Sequence, residues 1–339
     1  MPENADDWLD ALPGPVLLDI EGKRAGPPRA LSVLLHGNEP SGFRALHRYL
    51  REGRVPERRT LAFVGAVDAA RTDGRWAHRL LPGRRDLNRC FLDARTRDDG
   101  DAAIARAYLG ALAEAQPEAL VDVHNNTGHN PPYGVLVDQR PGCLALVELF
   151  TPRGVVNALR LGTLVEAWRA HAPSVVVECG QAGRAGADEV GYQGIRRYLE
   201  VETLPPGPRH ALRLYRNTVR FTLRDGIAPA FATAPASATL TLRDDLERFN
   251  FRPVPAGTVL GWWRGRGLPL EAFGPRGEDH ATELVGLRAS DASRPAELVA
   301  RRAFTPIMMT TRPDIVVADC LCYLVRDLDA DAADPLERG

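Results

Sequence analysis

Lysine is almost missing from this chain. Lys23 is the only one among 339 residues, and it stands in a Gly/Pro-bracketed stretch, EGKRAGPP, that reads as a turn. Schiff-base chemistry on a buried lysine is thereby excluded. Cysteine is scarce too. Cys90, Cys143, Cys179, Cys320 and Cys322 make five, an odd number at irregular spacing, which reads as reduced thiols of a cytoplasmic protein and not as a disulfide framework. Cys320 and Cys322 form a C-x-C in the apolar run ADCLCYLV. On a strand both would face one side, where small core residues are the ordinary reading and a metal or redox pair the rival one. No apolar run approaches the ~18 residues needed to span a bilayer. The first residues, MPENADDWLDALPG, have neither the basic nor the apolar part of a signal peptide. An excess of either charge is also lacking. Lys and Arg number 43 against 44 Asp and Glu, a net charge of −1, so no global field would draw nucleic acid or an anionic membrane. There is no G-x-S-x-G, hence no nucleophile elbow of a serine hydrolase.

What is present is ordinary globular material, with 44% apolar and 26% charged residues, ample for a sizeable core. The first two thirds alternate. Residues 30–35, 60–68, 118–124, 133–138, 154–159 and 174–180 are short apolar runs that predict strands. Residues 42–53, 104–115, 161–172 and 191–204 have helical spacing. Apolar runs interleaved with amphipathic helices predict an α/β sheet covered on both faces. Near residue 205 the character changes. ATLTLRDDL, GTVLGWW, ATELVGLRA and DIVVADCLCYLV, separated by Gly and Pro, predict a smaller, mainly β domain. The boundaries expected are a catalytic domain over 1–222 and a β-rich domain over 223–339, the acidic tail DLDADAADPLERG fraying.

Three motifs stand at the ends of predicted strands, where open α/β sheets bind ligands. His36 and Glu39 follow ALSVLL, three residues apart on a turn entering a helix, so both can point at one ion. Imidazole nitrogen and carboxylate oxygen suit zinc. His124 closes EALVDVH and would complete a His, Glu, His set with an open fourth position, the pattern of catalytic zinc. His129, beyond the polar loop NNTG, is the rival ligand. Asp122, two residues before His124 on the same strand face, could orient its imidazole. Glu178 ends the valine run of SVVVECG. A zinc hydrolase needs a base that is not a ligand, to take a proton from metal-bound water and pass it to the leaving nitrogen. A fourth element, Arg85-Asp86-Leu87-Asn88-Arg89, places guanidinium beside amide, a grip for a carboxylate. Other residues read as structural. His47 is expected at a surface or boundary, Trp262-Trp263 capping a β core, and GQAGRAG as a loop beside the site.

HGNEPSG, DLNR, DVHNNTG and VECG, in this order and at these spacings, resemble the succinylglutamate desuccinylase/aspartoacylase family, a branch of the zinc carboxypeptidase fold. The resemblance covers roughly residues 30–200. It implies a zinc-carboxypeptidase-like mixed sheet flanked by helices, with a smaller β-rich C-terminal domain. It implies one Zn2+ per chain held by His36, Glu39 and His124, with Glu178 as the catalytic carboxylate and Asn88 and Arg89 as substrate contacts. The family has a further arginine before DLNR that polarises the scissile carbonyl. In RWAHRLLPGRRDLNR the register is not clean, so Arg79 is the choice and Arg84 and Arg85 are rivals. The loop NNTGHNPPYG, with an extra His and two prolines, departs from the family pattern.

The function expected is therefore zinc-dependent removal of an acyl group from a small anionic N-acyl amino acid, by hydrolysis of a carbon–nitrogen bond. Its rival is a zinc carboxypeptidase acting on short peptides. A non-catalytic zinc-binding protein is the reading from a different class. The β-rich domain is expected to narrow the cleft, with Pro131 and Pro132 stiffening its wall. The acyl group, the amino-acid moiety and any homo-oligomer stay open.

Overall fold

The longest apolar segments become the central strands of a sheet. The computed structural model describes residues 1–157, 160–289 and 294–328. The chain divides into two units, one of residues 1–126 and 132–214, the other of residues 127–131 and 215–339.

In the first unit, helix α1 (Ala5–Ala11) is followed by β1 (Val16–Ile20), β2 (Arg24–Val33), α2 (Ser41–Arg51), β3 (Arg58–Val64), α3 (Val67–Arg71) and α4 (Gly100–Ala115). Then come β4 (Leu120–Asn126), β5 (Tyr133–Leu136), α5 (Pro141–Glu148), β6 (Arg153–Val156), α6 (Leu164–Trp168), β7 (Ser174–Gln181) and α7 (Ala185–Glu200). The strand order is β1-β3-β2-β4-β7-β5-β6. Strands β3, β2, β4 and β7 are parallel, while β1 and β5 run antiparallel to their neighbours β3 and β7. Every residue of β4 is buried, and all of β7 except Gln181 is nearly so. That is what covering both faces demands, and it explains why these strands read as continuous runs without alternation. On one face Leu35, Phe63, Tyr108, Leu112, Leu120 and Trp168 form a core cluster with α4 and α6. Helices α2 and α7 pack against each other and contribute Phe43, Leu46, Tyr49, Ile195 and Tyr198 as fully buried side chains.

Arg29 on β2 is completely buried, an expensive placement for a charge unless it is paired. Its Nε donates to Glu118 Oε1 at 2.8 Å, and its Nη1 donates to the Tyr198 carbonyl at 2.7 Å. It thus satisfies a carbonyl left over at the end of α7.

In the second unit, β8 (Arg213–Leu223) pairs with β16 (Cys322–Asp327), and β16 with β15 (Thr305–Ile307). β12 (Leu270–Phe273) also pairs with β8. A separate five-stranded sheet runs β13-β14-β11-β10-β9, formed from Val285–Arg288, Ala296–Ala300, Val259–Trp263, Leu240–Leu242 and Pro229–Phe231. Leu240, Leu260, Trp263, Leu298 and Leu324 belong to one apolar cluster. The fold is therefore the expected mixed α/β sheet flanked by helices, with a smaller β-rich C-terminal part.

Several local expectations are corrected. GQAGRAG is no long loop. β7 continues to Gln181 and α7 starts at Ala185, because Gly180 and Gly183 at positive φ turn the chain tightly. Only Leu164–Trp168 of the 161–172 segment is helical, opened by a capping box of Thr163 and Glu166. The segment 314–325 is not one strand. Pro313, at a position that favours helix starts, opens a helix ending at Ala318, and β16 begins only at Cys322. Cys320 therefore precedes the strand, and all five cysteines are buried and free. His47 is buried and not at the surface. Its Nε2 lies 3.0 Å from the Pro2 carbonyl, and its ring packs on Trp8. In EGKRAGPP, β2 already begins at Arg24, and Lys23 pairs with Glu57. Residues 158–159 of the 154–159 segment, and the tail beyond Leu328, lie outside the described residues.

Candidate metal centre

The parallel strands end together, and the loops leaving them converge. β2 stops at Val33, and Leu34 adopts φ 58°. That left-handed conformation is costly for a branched side chain and turns the chain sharply. Gly37 allows the turn to press on α3, since a Cβ there would lie 2.6 Å from the Ala70 nitrogen. His36 and Glu39 are thereby carried into the site ahead of α2. His124 stands near the end of β4 and is directly opposite Glu178 of β7 in the parallel ladder.

His36, Glu39 and His124 offer ligand atoms that all lie within 4.8 Å of one another. Glu39 Oε1 is 2.9 Å from His36 Nδ1, Glu39 Oε2 is 2.7 Å from His124 Nδ1, and the two Nδ1 atoms are 3.2 Å apart. The outer nitrogens face carboxylates. His36 Nε2 donates to Asp86 Oδ1 at 3.0 Å and His124 Nε2 donates to Asp122 Oδ2 at 2.9 Å. A carboxylate can only accept, and each ring has one on both sides; with a cation held among the two Nδ1 atoms and Glu39, the proton of each ring sits on Nε2 and the Nδ1 lone pair turns inward. Two lone pairs and a carboxylate converging in a buried space require a cation or protons between them. The residues present thus fit a metal ion, and the carboxylate behind each imidazole is the usual outer support of such a site.

The electrostatics show the same demand for positive charge between these groups. Burial works against ionising Glu39, yet the facing imidazoles of His36 and His124 hold its carboxyl well below the usual carboxylate range. Asp86 is half-buried; burial again opposes its charge, yet His36 and then Arg79 hold its carboxyl well below the usual carboxylate range. Burial opposes a charge on His124, but Asp122 and Glu39 overcome it and push the imidazole well up. Glu178 moves the other way. Burial, followed by the negative charge of Glu39, pushes it up to about 7. Two carboxylates in one pocket therefore have separated acidities, the pattern that suits one for ligation and the other for proton transfer.

Arg79 stands at the cluster. Its Nη1 donates to Glu39 Oε1 at 3.2 Å and its Nη2 to Asp86 Oδ2 at 2.9 Å. Arg84 and Arg85 are engaged elsewhere, with Asp101 and with Asp93 and Asp99. Asn88 is buried, with Oδ1 accepting from the Leu164 N–H and Nδ2 3.4 Å from His124 Nε2. Arg89 is half-buried and its Nη1 donates to the Asn88 carbonyl. His129 is not in the cluster. It is exposed and its backbone N–H donates to Glu247.

Three participants escaped the reading of the sequence. Asp86 sits in DLNR, but its partner is fifty residues away. Asn125 braces the loop of Glu39: its N–H donates to Glu39 Oε2, its Oδ1 accepts from the Ser41 N–H and its Nδ2 donates to the Gly180 carbonyl. Asn126 donates to Glu178 and to the Tyr133 hydroxyl. The only signal was the polar pair Asn125-Asn126 at the end of an apolar strand.

Comparison with known proteins places this geometry. The family model described as the succinylglutamate desuccinylase/aspartoacylase catalytic domain matches residues 25–199. A succinylglutamate desuccinylase/aspartoacylase structure from Rhodobacter sphaeroides is similar at a TM-score of 0.60 and 18% identity, covering 92% of this chain and 89% of the other. The succinylglutamate desuccinylase of Chromobacterium violaceum gives 0.57 and 16%, covering 95% and 91%. The product-bound ectoine utilization protein of Ruegeria pomeroyi gives 0.56 and 18%, covering 92% and 88%. No curated protein matches the chain in sequence. With the model spanning more than half of the residues and the strand-end cluster inside it, this chain belongs to the succinylglutamate desuccinylase/aspartoacylase family, whose members are hydrolases of amide bonds.

Proposed function

We propose that the protein is a zinc-dependent amidohydrolase that removes an acyl group from a small, anionic N-acyl amino acid. The observation that carries this reading is the convergence of His36 Nδ1, Glu39 and His124 Nδ1, each imidazole backed by a carboxylate, beside a second carboxyl group whose pKa is pushed up. When bound, zinc supplies Lewis acidity, acidifying water and polarising a carbonyl oxygen.

The chain's residues supply the rest. Glu178, poised near neutrality, accepts a proton from the attacking water at its carboxylate and returns it to the leaving nitrogen. Arg79 is placed to stabilise negative charge developing on the carbonyl oxygen. Arg89, with Asn88, holds the substrate carboxylate. His36, Glu39, His124 and Glu178 are only 4%, 5%, 2% and 7% exposed. That burial shields the reacting groups from bulk water, and the family match is what favours a small N-acyl amino acid over a polypeptide as substrate. A panel of N-acetyl- and N-succinyl-amino acids, set against di- to pentapeptides, tests the reading. Release of the free amino acid is expected only from the first group. Rising kcat/KM with peptide length would make the protein a peptidase instead.

A further inference from the structure

We propose that Asn126 is the positioning residue of the Glu178 carboxylate, a role that rests on Glu178 being the base. Asn126 Nδ2 lies 2.9 Å from Glu178 Oε2 and 3.0 Å from the Tyr133 hydroxyl oxygen. Both hydrogens of that amide are therefore spent on one small cluster. Glu178 Oε1 accepts no hydrogen bond among the described residues, so it is the oxygen left for proton transfer. The last torsion of a glutamate is broad and roughly two-fold. Without a fixed donor the carboxylate would sample many orientations, and a base misplaced by a fraction of an ångström transfers protons poorly.

The backbone is arranged for this contact. Tyr133 of β5 is the cross-strand partner of Glu178 on one side, and His124 of β4 is its partner on the other. Past His124 the β4–β7 register shifts, and Asn126 comes to stand opposite Gln181 instead of the residue two after Glu178. Irregularities of this kind re-aim side chains and occur preferentially beside active sites. Here the shifted residue reaches back to Glu178. Along this strand end the His124 ring and the Asn125 N–H both meet Glu39 Oε2, while the Asn126 side chain serves Glu178.

A role in stability alone does not account for Asn126. Its Oδ1 is buried and has no partner among the described residues, and an unpaired buried acceptor weakens a fold. Asn126 keeps its two donors in place at that expense, which fits a residue retained for what the donors hold.

The test is a double-mutant cycle on the zinc-loaded protein, with N-acetyl-L-aspartate and N-succinyl-L-glutamate as probes. The variants are Asn126→Ala, Asn126→Ser, Glu178→Gln and Asn126→Ala combined with Glu178→Gln. Asn126→Ala is expected to lower kcat about tenfold to a hundredfold, the usual cost of losing a supporting hydrogen bond. KM should stay within about threefold and zinc content should be unchanged. Added to Glu178→Gln, the same change should cost less than about twofold, because the group it serves is already gone. Additive losses, or a loss of zinc, would overturn the proposal. Glu178→Gln with near-normal kcat would instead overturn the reading of Glu178 as base. Crystal structures of Asn126→Ala and Asn126→Ser decide the matter even where neither probe is turned over. The Glu178 carboxylate is expected to rotate away from its present place, and a carboxylate that stays fixed in both variants refutes the role of Asn126.

Discussion

His36 and His124 each give up one ring nitrogen to a carboxylate, and that expenditure sets what the other nitrogen can do. With Nε2 protonated against Asp86 or Asp122, Nδ1 is the lone-pair side. His36→Ala and His124→Ala should therefore abolish metal retention. Asp122→Asn should be subtler. An amide can offer its carbonyl to Nε2, but it removes a charge from behind the ring, so metal affinity should fall about tenfold to a hundredfold. Competition with a chromogenic chelator measures it, and unchanged affinity would show that Asp122 only fills space. Glu178 allows a pH argument with a definite sign. Its pKa rises from 4.5 to about 7 on folding, so the folded state favours the proton. The associated stability is complete below about pH 4.5 and is lost as pH rises through about 7. In metal-free protein, Glu178→Gln should thus raise Tm more at pH 8 than at pH 5, and an equal shift at both would disprove the linkage. With zinc loaded, the same variant should lose about 10²- to 10⁴-fold in kcat. At this scale the convergence of His36, Glu39 and His124, with Glu178 opposite His124, was legible, since charged groups at the ends of apolar strands have few structural uses. Asp86, Asn125 and Asn126 were not, because their partners are distant in sequence and a polar residue in a loop looks the same with or without one.

Elements were legible where burial dictated their pattern. β4 and β7 stood out as continuous apolar runs because both faces are covered. Helices were misjudged at their ends, where caps and glycines decide and periodicity does not. α7 is the clearest case: it begins at Ala185 behind Gly183 and continues through GYQGIRRYLE. Its two internal glycines cost helix propensity, yet one of them is required. A Cβ on Gly194 would fall 1.9 Å from the Phe150 ring, so helix and ring are in direct contact. Gly194→Ala should improve the isolated helix but destabilise the protein by about 1–3 kcal/mol through overpacking. A lower Tm with unchanged metal affinity is expected, and a stabilised protein would mean that Phe150 moves aside cheaply. The 314–325 segment misled for the opposite reason. Its apolar residues are shared between a short helix and a strand, and their composition does not distinguish the two.

For the molecule as a whole, the alternation of runs and helices up to about residue 200 and the β-rich remainder announced the architecture. The finer assembly was not legible. Residues 127–131, which follow the candidate ligand strand in sequence, group with the C-terminal unit. Asn250 donates to the His129 carbonyl and Asn130 accepts from the Met308 N–H, contacts across more than a hundred residues that no local pattern encodes. The central claim is that one metal ion at His36, Glu39 and His124 makes this chain a hydrolase of N-acyl amino acids. The most direct measurement adds zinc in steps to metal-free protein while amino-acid release from the N-acyl panel is followed. The account predicts a linear rise that breaks at one equivalent per chain and is absent in His124→Ala. Full activity before any zinc is added, or undiminished activity in His124→Ala, would contradict it.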